Sequence, residues 1–124
     1  MLTPYFFIEY ADGASLSTRH LAFASWALYN SNGELFASSG ICLGQATNNI
    51  AEYSVVVELL TEAISLKIWQ LIVRLDSQLI VQQLENHYAI RSPALLRLHM
   101  RVRLLERRFD YMEYQHSKTF KYIY

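Results

Sequence analysis

Residues 47–66, TNNIAEYSVVVELLTEAISL, run for twenty positions without a glycine or a proline. Those two residues are the strongest local breakers of regular structure, so the stretch predicts one long helix. The apolar runs around it are shorter and richer in β-branched and aromatic residues, as strands are. One long helix set among short strands restricts the chain to packed layers of helix and sheet. PYFFIEYADG (4–13), LAFASWALYN (21–30), ELFASSGICL (34–43), QLIVRLD (70–76) and DYMEYQH (110–116) are the candidate strands. Ser31-Asn32-Gly33 separates the second from the third, and Asn-Gly between apolar runs predicts antiparallel neighbours. SQLIVQQLE (77–85) predicts a short helix. Ser92-Pro93 opens another, with Ser as cap and Pro in its first turn. There Leu95, Leu98, Val102, Leu105 and Phe109 recur at spacings of three and four, forming one buried stripe. The predicted order is β-β-β-α-β-α-α-β, a three-layer α/β domain on a mixed sheet.

With 124 residues, 52% of them hydrophobic, and six glycines and prolines together, residues 1–124 suit a single domain with a substantial core. No apolar run approaches the roughly eighteen residues of a membrane span, and no signal-peptide pattern opens the chain. Cys42 is the only cysteine, which excludes an internal disulfide and a cysteine zinc cluster and fits a reducing, cytoplasmic compartment. The formal net charge is zero, but the charge is segregated. Residues 1–86 carry three basic and eight acidic side chains, and residues 87–124 carry eight basic and three acidic ones. The acidic part can hold cations and the basic part phosphate; two solvated helix faces give the same count.

Three carboxylates have unusual positions. Asp76 follows a strand and precedes a helix, where it suits an N-cap. Glu52 lies three residues after Asn49, the spacing of a capping box. Asp12 precedes Gly13 at a strand end, a common turn pair. Each explanation is adequate alone, but together they weaken. Ser54, Glu58, Thr61, Glu62 and Ser65 mark a solvent face on the long helix, and Glu52 points roughly 130° from its centre, towards the apolar side. Asp12 and Asp76 both end apolar strands, the edge where open α/β sheets bind ligands. Carboxylates brought together repel unless a cation sits among them, and hard Mg²⁺ suits their oxygens.

Strand-Asp12-Gly13, then T-N-N-I-A-E-Y at 47–53, then R-L-D-S-Q-L at 74–79, resembles the ribonuclease H family. The likeness is greatest to its reverse-transcriptase-like branch, found in plant retroelements and bacteria. It continues through RSPALLRL (91–98) and F-D-x-x-x-Y-x-H, which ends at His116. The resemblance implies a five-stranded mixed sheet in the order 3-2-1-4-5 with helices on both faces. It also implies hydrolysis of the RNA strand of RNA–DNA hybrids with two Mg²⁺ (or Mn²⁺) ions. Asp12, Glu52 and Asp76 match three of the family's four metal-binding carboxylates. Asn48, Asn49 and Gln78 match positions that touch the nucleic-acid strands. His116 matches a mobile histidine of proton transfer or product release, and a solvent-exposed loop histidine is the alternative. His20, His87 and His99 have no metal-ligand spacing.

The chain departs from the family's pattern in two places. Thr119 and Tyr122 stand where the family has Arg and Asn. The fourth carboxylate is due two positions beyond Tyr124, so it and a final helix are expected to be missing. Ala22, Phe23, Ala24 and Ser25 replace a glycine-rich hairpin segment. Three readings follow from these departures: a ribonuclease H, impaired if the fourth carboxylate matters; a catalytically weak or inactive relative that binds nucleic acid or a protein; or a truncated sequence.

Overall fold

The computed structural model describes residues 7–16, 21–44, 47–86 and 89–116, with side chains described from residue 25 onward except at 43, 44 and 48. The first three apolar runs form β1 (Phe7–Leu16), β2 (Leu21–Tyr29) and β3 (Leu35–Gly44). Asn30 organises the reversal between β2 and β3. Its carbonyl accepts from Gly33 N at 3.0 Å, and its Oδ1 accepts from the amides of Asn32 at 2.9 Å and Glu34 at 3.0 Å. Gly33 has φ +82°, a left-handed conformation that a residue without Cβ adopts freely.

The breaker-free stretch forms α1 (Asn48–Ser65). Then come β4 (Gln70–Leu75), α2 (Gln78–Leu84), α3 (Pro93–Glu106) and β5 (Tyr111–His116). The five strands form one sheet in the order β3-β2-β1-β4-β5. β1 runs antiparallel to β2, and β2 to β3, whereas β4 is parallel to both β1 and β5.

Burial alternates along β4: Leu71, Val73 and Leu75 are buried, while Ile72 and Arg74 are half-exposed. That period of two marks one core face. Leu71, Val73 and Leu75 join Trp26 and Leu28 of β2, seven residues of α1, three of α2 and Val102 of α3 in one cluster. A cluster shared by all three helices puts them on the same face of the sheet. The described residues therefore form two layers, and the expected placement of helices on both faces is corrected: α1, α2 and α3 share one side because each needs the same apolar surface. The expected loss of a final helix concerns residues 117–124, outside the described residues.

α1 is the centre of the helical layer, packed between the sheet and α3. This accounts for its wide apolar arc, with Val55, Val56, Leu59 and Leu60 almost fully buried. The expected stripe of α3 is present: Val102 is buried, with Leu95, Leu98, Leu105 and Phe109 packed against the cluster. No described helix is long and apolar enough to cross a membrane.

Candidate functional site

Sheet register brings three of the singled-out positions to one edge. The parallel β1–β4 pairing runs from Phe7↔Leu71 to Ala11↔Leu75, so the next step along each strand is Asp12 beside Asp76. Across the antiparallel pair, Asp12 faces Ser25, one of the residues that replace the glycine-rich segment. The side chain of Asp12, like those of Ala22, Phe23 and Ala24, lies outside the described part. On the other side of β4 the pairing ends at Leu75↔His116. Asp12, Asp76 and His116 thus come to the same rim, where β4 and β5 end; the expectation that Asp12-Gly13 ends its strand is corrected, because β1 continues past it to Leu16, paired with β2 alone. Ligands of open α/β sheets bind at such a rim.

Asp76 does not cap a helix. That role belongs to Ser77, whose hydroxyl accepts from Ile80 N at 3.2 Å. The Asp76 side chain is exposed. Its main-chain carbonyl engages His116, whose Nε2 lies 3.0 Å away. A carbonyl can only accept, so Nε2 carries the proton and donates it, fixing the ring's orientation at the rim. His116 is the last residue of β5, and its ring is tied to the Asp76 main chain.

Glu52 is not in a capping box. The N-cap of α1 is Thr47, whose hydroxyl accepts from Ile50 N at 3.3 Å, and the first turn holds no acidic residue. Glu52 therefore falls one turn further in, on the partly buried side, with Oε2 shielded from solvent. The bland explanations for Asp76 and Glu52 are both overturned, and in each case a neighbouring hydroxyl does the capping.

Asn48 and Asn49 open α1, and Gln78 opens α2. Asn49 and Gln78 are exposed and available to a ligand; the Asn48 side chain lies outside the described part. Among the described residues no three His, Cys, Asp or Glu side chains gather closely enough to hold a metal ion. With Asp12 beyond that description, what favours a cation is the donor chemistry: Asp76 and Glu52 offer hard carboxylate oxygens, one exposed and one partly buried.

Sequence reasoning missed two polar residues behind this edge. Tyr53, next to Glu52, is fully buried and donates its hydroxyl to Gln83 Oε1 at 2.9 Å. His99 Nδ1 lies 3.5 Å from the same hydroxyl oxygen, and the two rings meet edge-to-face at 6.1 Å. Burial pushes the Tyr53 phenol up to about 12 and pulls His99 below its usual range, so both are neutral at neutral pH. The available signal was Gln83, a polar residue at helical spacing from the apolar Ile80.

The chain matches the reverse transcriptase-like family model over residues 10–119. It is 36% identical over 101 residues to ribonuclease HI of Halobacterium salinarum, covering 82% of this chain and 51% of that protein. The chain thus spans about half the length of this curated relative and 22% of a bifunctional protein from Mycobacterium tuberculosis that is 32% identical over 81 residues. Among solved structures, ribonuclease H1 of H. salinarum superposes with a TM-score of 0.88 at 32% identity, covering 94% of this chain and 88% of that one. The N-terminal ribonuclease H domain of a mycobacterial protein, solved as a fusion with maltose-binding protein, gives 0.86 at 27% identity, with 92% and 83% covered.

Proposed function

The chain belongs to the reverse transcriptase-like family of ribonuclease H-like domains, and we propose that it is a metal-dependent endoribonuclease cutting the RNA strand of RNA–DNA hybrids. The observation that carries this reading is the rim itself. The register of β1, β4 and β5 sets the Asp12 position, Asp76 and His116 side by side, with Asp76 exposed between the Asp12 position and a His116 held by the Asp76 carbonyl. A fold needs no such arrangement for stability, since Ser77 already supplies the cap.

Asp12, Glu52 and Asp76 are the residues that would hold Mg²⁺ or Mn²⁺, two ions in all. When bound at such a site, divalent ions make water more acidic and neutralise charge on phosphate oxygens. Asn48, Asn49 and Gln78 position the hybrid from the first turns of α1 and α2. A reader of this kind recognises 2′-hydroxyls and backbone shape, not base sequence. His116, with Nε2 engaged, presents Nδ1 as the group that accepts or passes a proton.

The test is cleavage of a labelled RNA–DNA hybrid with Mg²⁺ or Mn²⁺, with Asp76→Asn as the comparison. The expected result is RNA-strand cleavage that Asp76→Asn abolishes without lowering the melting temperature, because the substituted side chain is exposed and does not cap α2. Equal inactivity of two folded proteins would replace the catalytic reading with a binding role for nucleic acid or a protein partner.

A further inference from the structure

We propose that Tyr53 is a positioning residue, whose buried hydroxyl fixes the Glu52-bearing helix against the segment that follows Asp76 and thereby sets the affinity for the divalent ion. The proposal rests on the assignment of Glu52 and Asp76 as metal ligands.

The argument starts from the shortness of α2. Seven residues are too few for a helix to hold its own conformation in water, so its position depends on tertiary contacts. α2 begins two residues after Asp76, and any drift of the helix is passed to the Asp76–Ser77–Gln78 corner. Two polar tethers restrain it. At its C-terminal end Arg103 donates to the Leu84 carbonyl and to Asn86 Oδ1, which connects α2 to α3. In its body Gln83, 8% exposed, accepts from Tyr53, which connects α2 to α1. The second tether reaches the site, because adjacent Cα atoms are about 3.8 Å apart and Tyr53 cannot shift without carrying Glu52. His99 of α3 closes on the same phenol from another side. One hydroxyl thus meets groups from two further helices at the residue beside a proposed ligand.

A phenylalanine would satisfy the packing at position 53 equally well. The hydroxyl instead brings Gln83 into an otherwise apolar interior, where an amide is costly without a partner. A polar pair in that setting specifies geometry more strongly than apolar contacts do, because its bond length and direction are narrowly bounded.

The experiment compares the full chain with Tyr53→Phe, with the double variant Tyr53→Phe/Gln83→Leu, and with Asp76→Asn. Mn²⁺ and Mg²⁺ binding are followed by calorimetry without substrate, and thermal unfolding is recorded alongside. Tyr53→Phe is expected to bind the ion ~10-fold more weakly, the scale at which outer-shell partners act on metal sites. In the double variant no orphaned amide remains, so the melting temperature recovers while the weakened ion binding persists. In cleavage assays the half-saturating Mg²⁺ concentration rises, and kcat at saturating Mg²⁺ stays close to that of the unsubstituted chain. The proposal is overturned if Tyr53→Phe binds the ion as the unsubstituted chain does, or if affinity returns together with stability in the double variant. Ion binding that is absent even in the unsubstituted chain would instead remove the ligand assignment, and the Tyr53 role with it.

Discussion

At the scale of single residues, two acidic side chains of α1 show what a sequence can and cannot disclose. Glu52 was legible, because its helical angle turns it from the polar face, and angle is a local property. Glu62 was not. Its spacing groups it with Ser54, Glu58, Thr61 and Ser65 as a solvated residue, yet its carboxylate accepts from Trp26 Nε1 at 2.9 Å and from Ser39 Oγ at 2.7 Å. The partners lie 36 and 23 positions away, on β2 and β3, and no helical pattern contains them. Buried hydroxyls were equally hidden, and they carry a pH signature. Tyr53 is pushed by burial up to about 12, and Tyr114 is raised well above 10.0 by burial and then by Glu106, to which its hydroxyl donates at 2.6 Å. Below pH 10 these tyrosines are protonated in both folded and unfolded chains, so their contribution is fully present. Above it the unfolded chain releases protons that the fold retains, and stability falls as pH rises from 10 towards 12. The expected slope for Tyr53 is about 1.4 kcal/mol per pH unit within that window. Urea unfolding across pH 9–12, with Tyr53→Phe losing its share of the slope, is the check; parallel curves for the two proteins would contradict it.

At the scale of elements, starts and stops were read where the signal is contiguous. Ser92 caps α3, accepting from Leu95 N at 3.4 Å, with Pro93 at the first helical position as its dipeptide predicts. Ser77 caps α2 in the same way. At α1 the cap expected at Asn49 falls on Thr47, because Thr, Asn and Asn in succession all have capping chemistry and only packing chooses among them. That choice moves Glu52 from the third helical position to the fifth and turns a capping carboxylate into a candidate ligand. The side of the sheet on which the helices lie was not legible either, since period-two burial identifies a core face without saying what covers the opposite one. A prediction belongs here. Ser77→Ala should cost about 1 kcal/mol in unfolding free energy, as lost N-caps do. Because α2 is only seven residues long, the loss should also loosen Asp76 and Gln78. Amide hydrogen exchange should then quicken across residues 77–84 more than across α1. An unchanged exchange pattern would mean that the tertiary tethers hold α2 without its cap.

At the scale of the whole molecule, the segregated charge acquires a geometry. The proposed carboxylate ligands come from β1, α1 and the end of β4, within the acidic stretch, whereas the arginines collect around α3. Arg91, Arg97, Arg101, Arg107 and Arg108 are all exposed, and the ion pair formed among the described residues, Arg103 with Glu106 at 2.9 Å, includes none of them. A polyanion held at the rim by cations gains further attraction wherever its phosphates pass near these side chains. Zero net charge is therefore no obstacle to nucleic-acid binding, because screening at about 8–10 Å makes the local distribution count for more than the sum. This division of labour predicts a separation of kinetic effects. Arg97→Ala/Arg101→Ala should weaken hybrid binding to a similar degree on different base sequences and raise KM, leaving kcat and the affinity for Mg²⁺ unchanged. The slope of log affinity against log salt should become shallower by about 1 for each phosphate that is no longer neutralised. Asp76→Asn should do the reverse, removing turnover while leaving the salt slope in place. If the arginine variant left KM and the salt slope as they were, the α3 surface would have no part in holding the hybrid, and the affinity would have to come from the rim alone: the cation-bearing carboxylates with Asn48, Asn49 and Gln78.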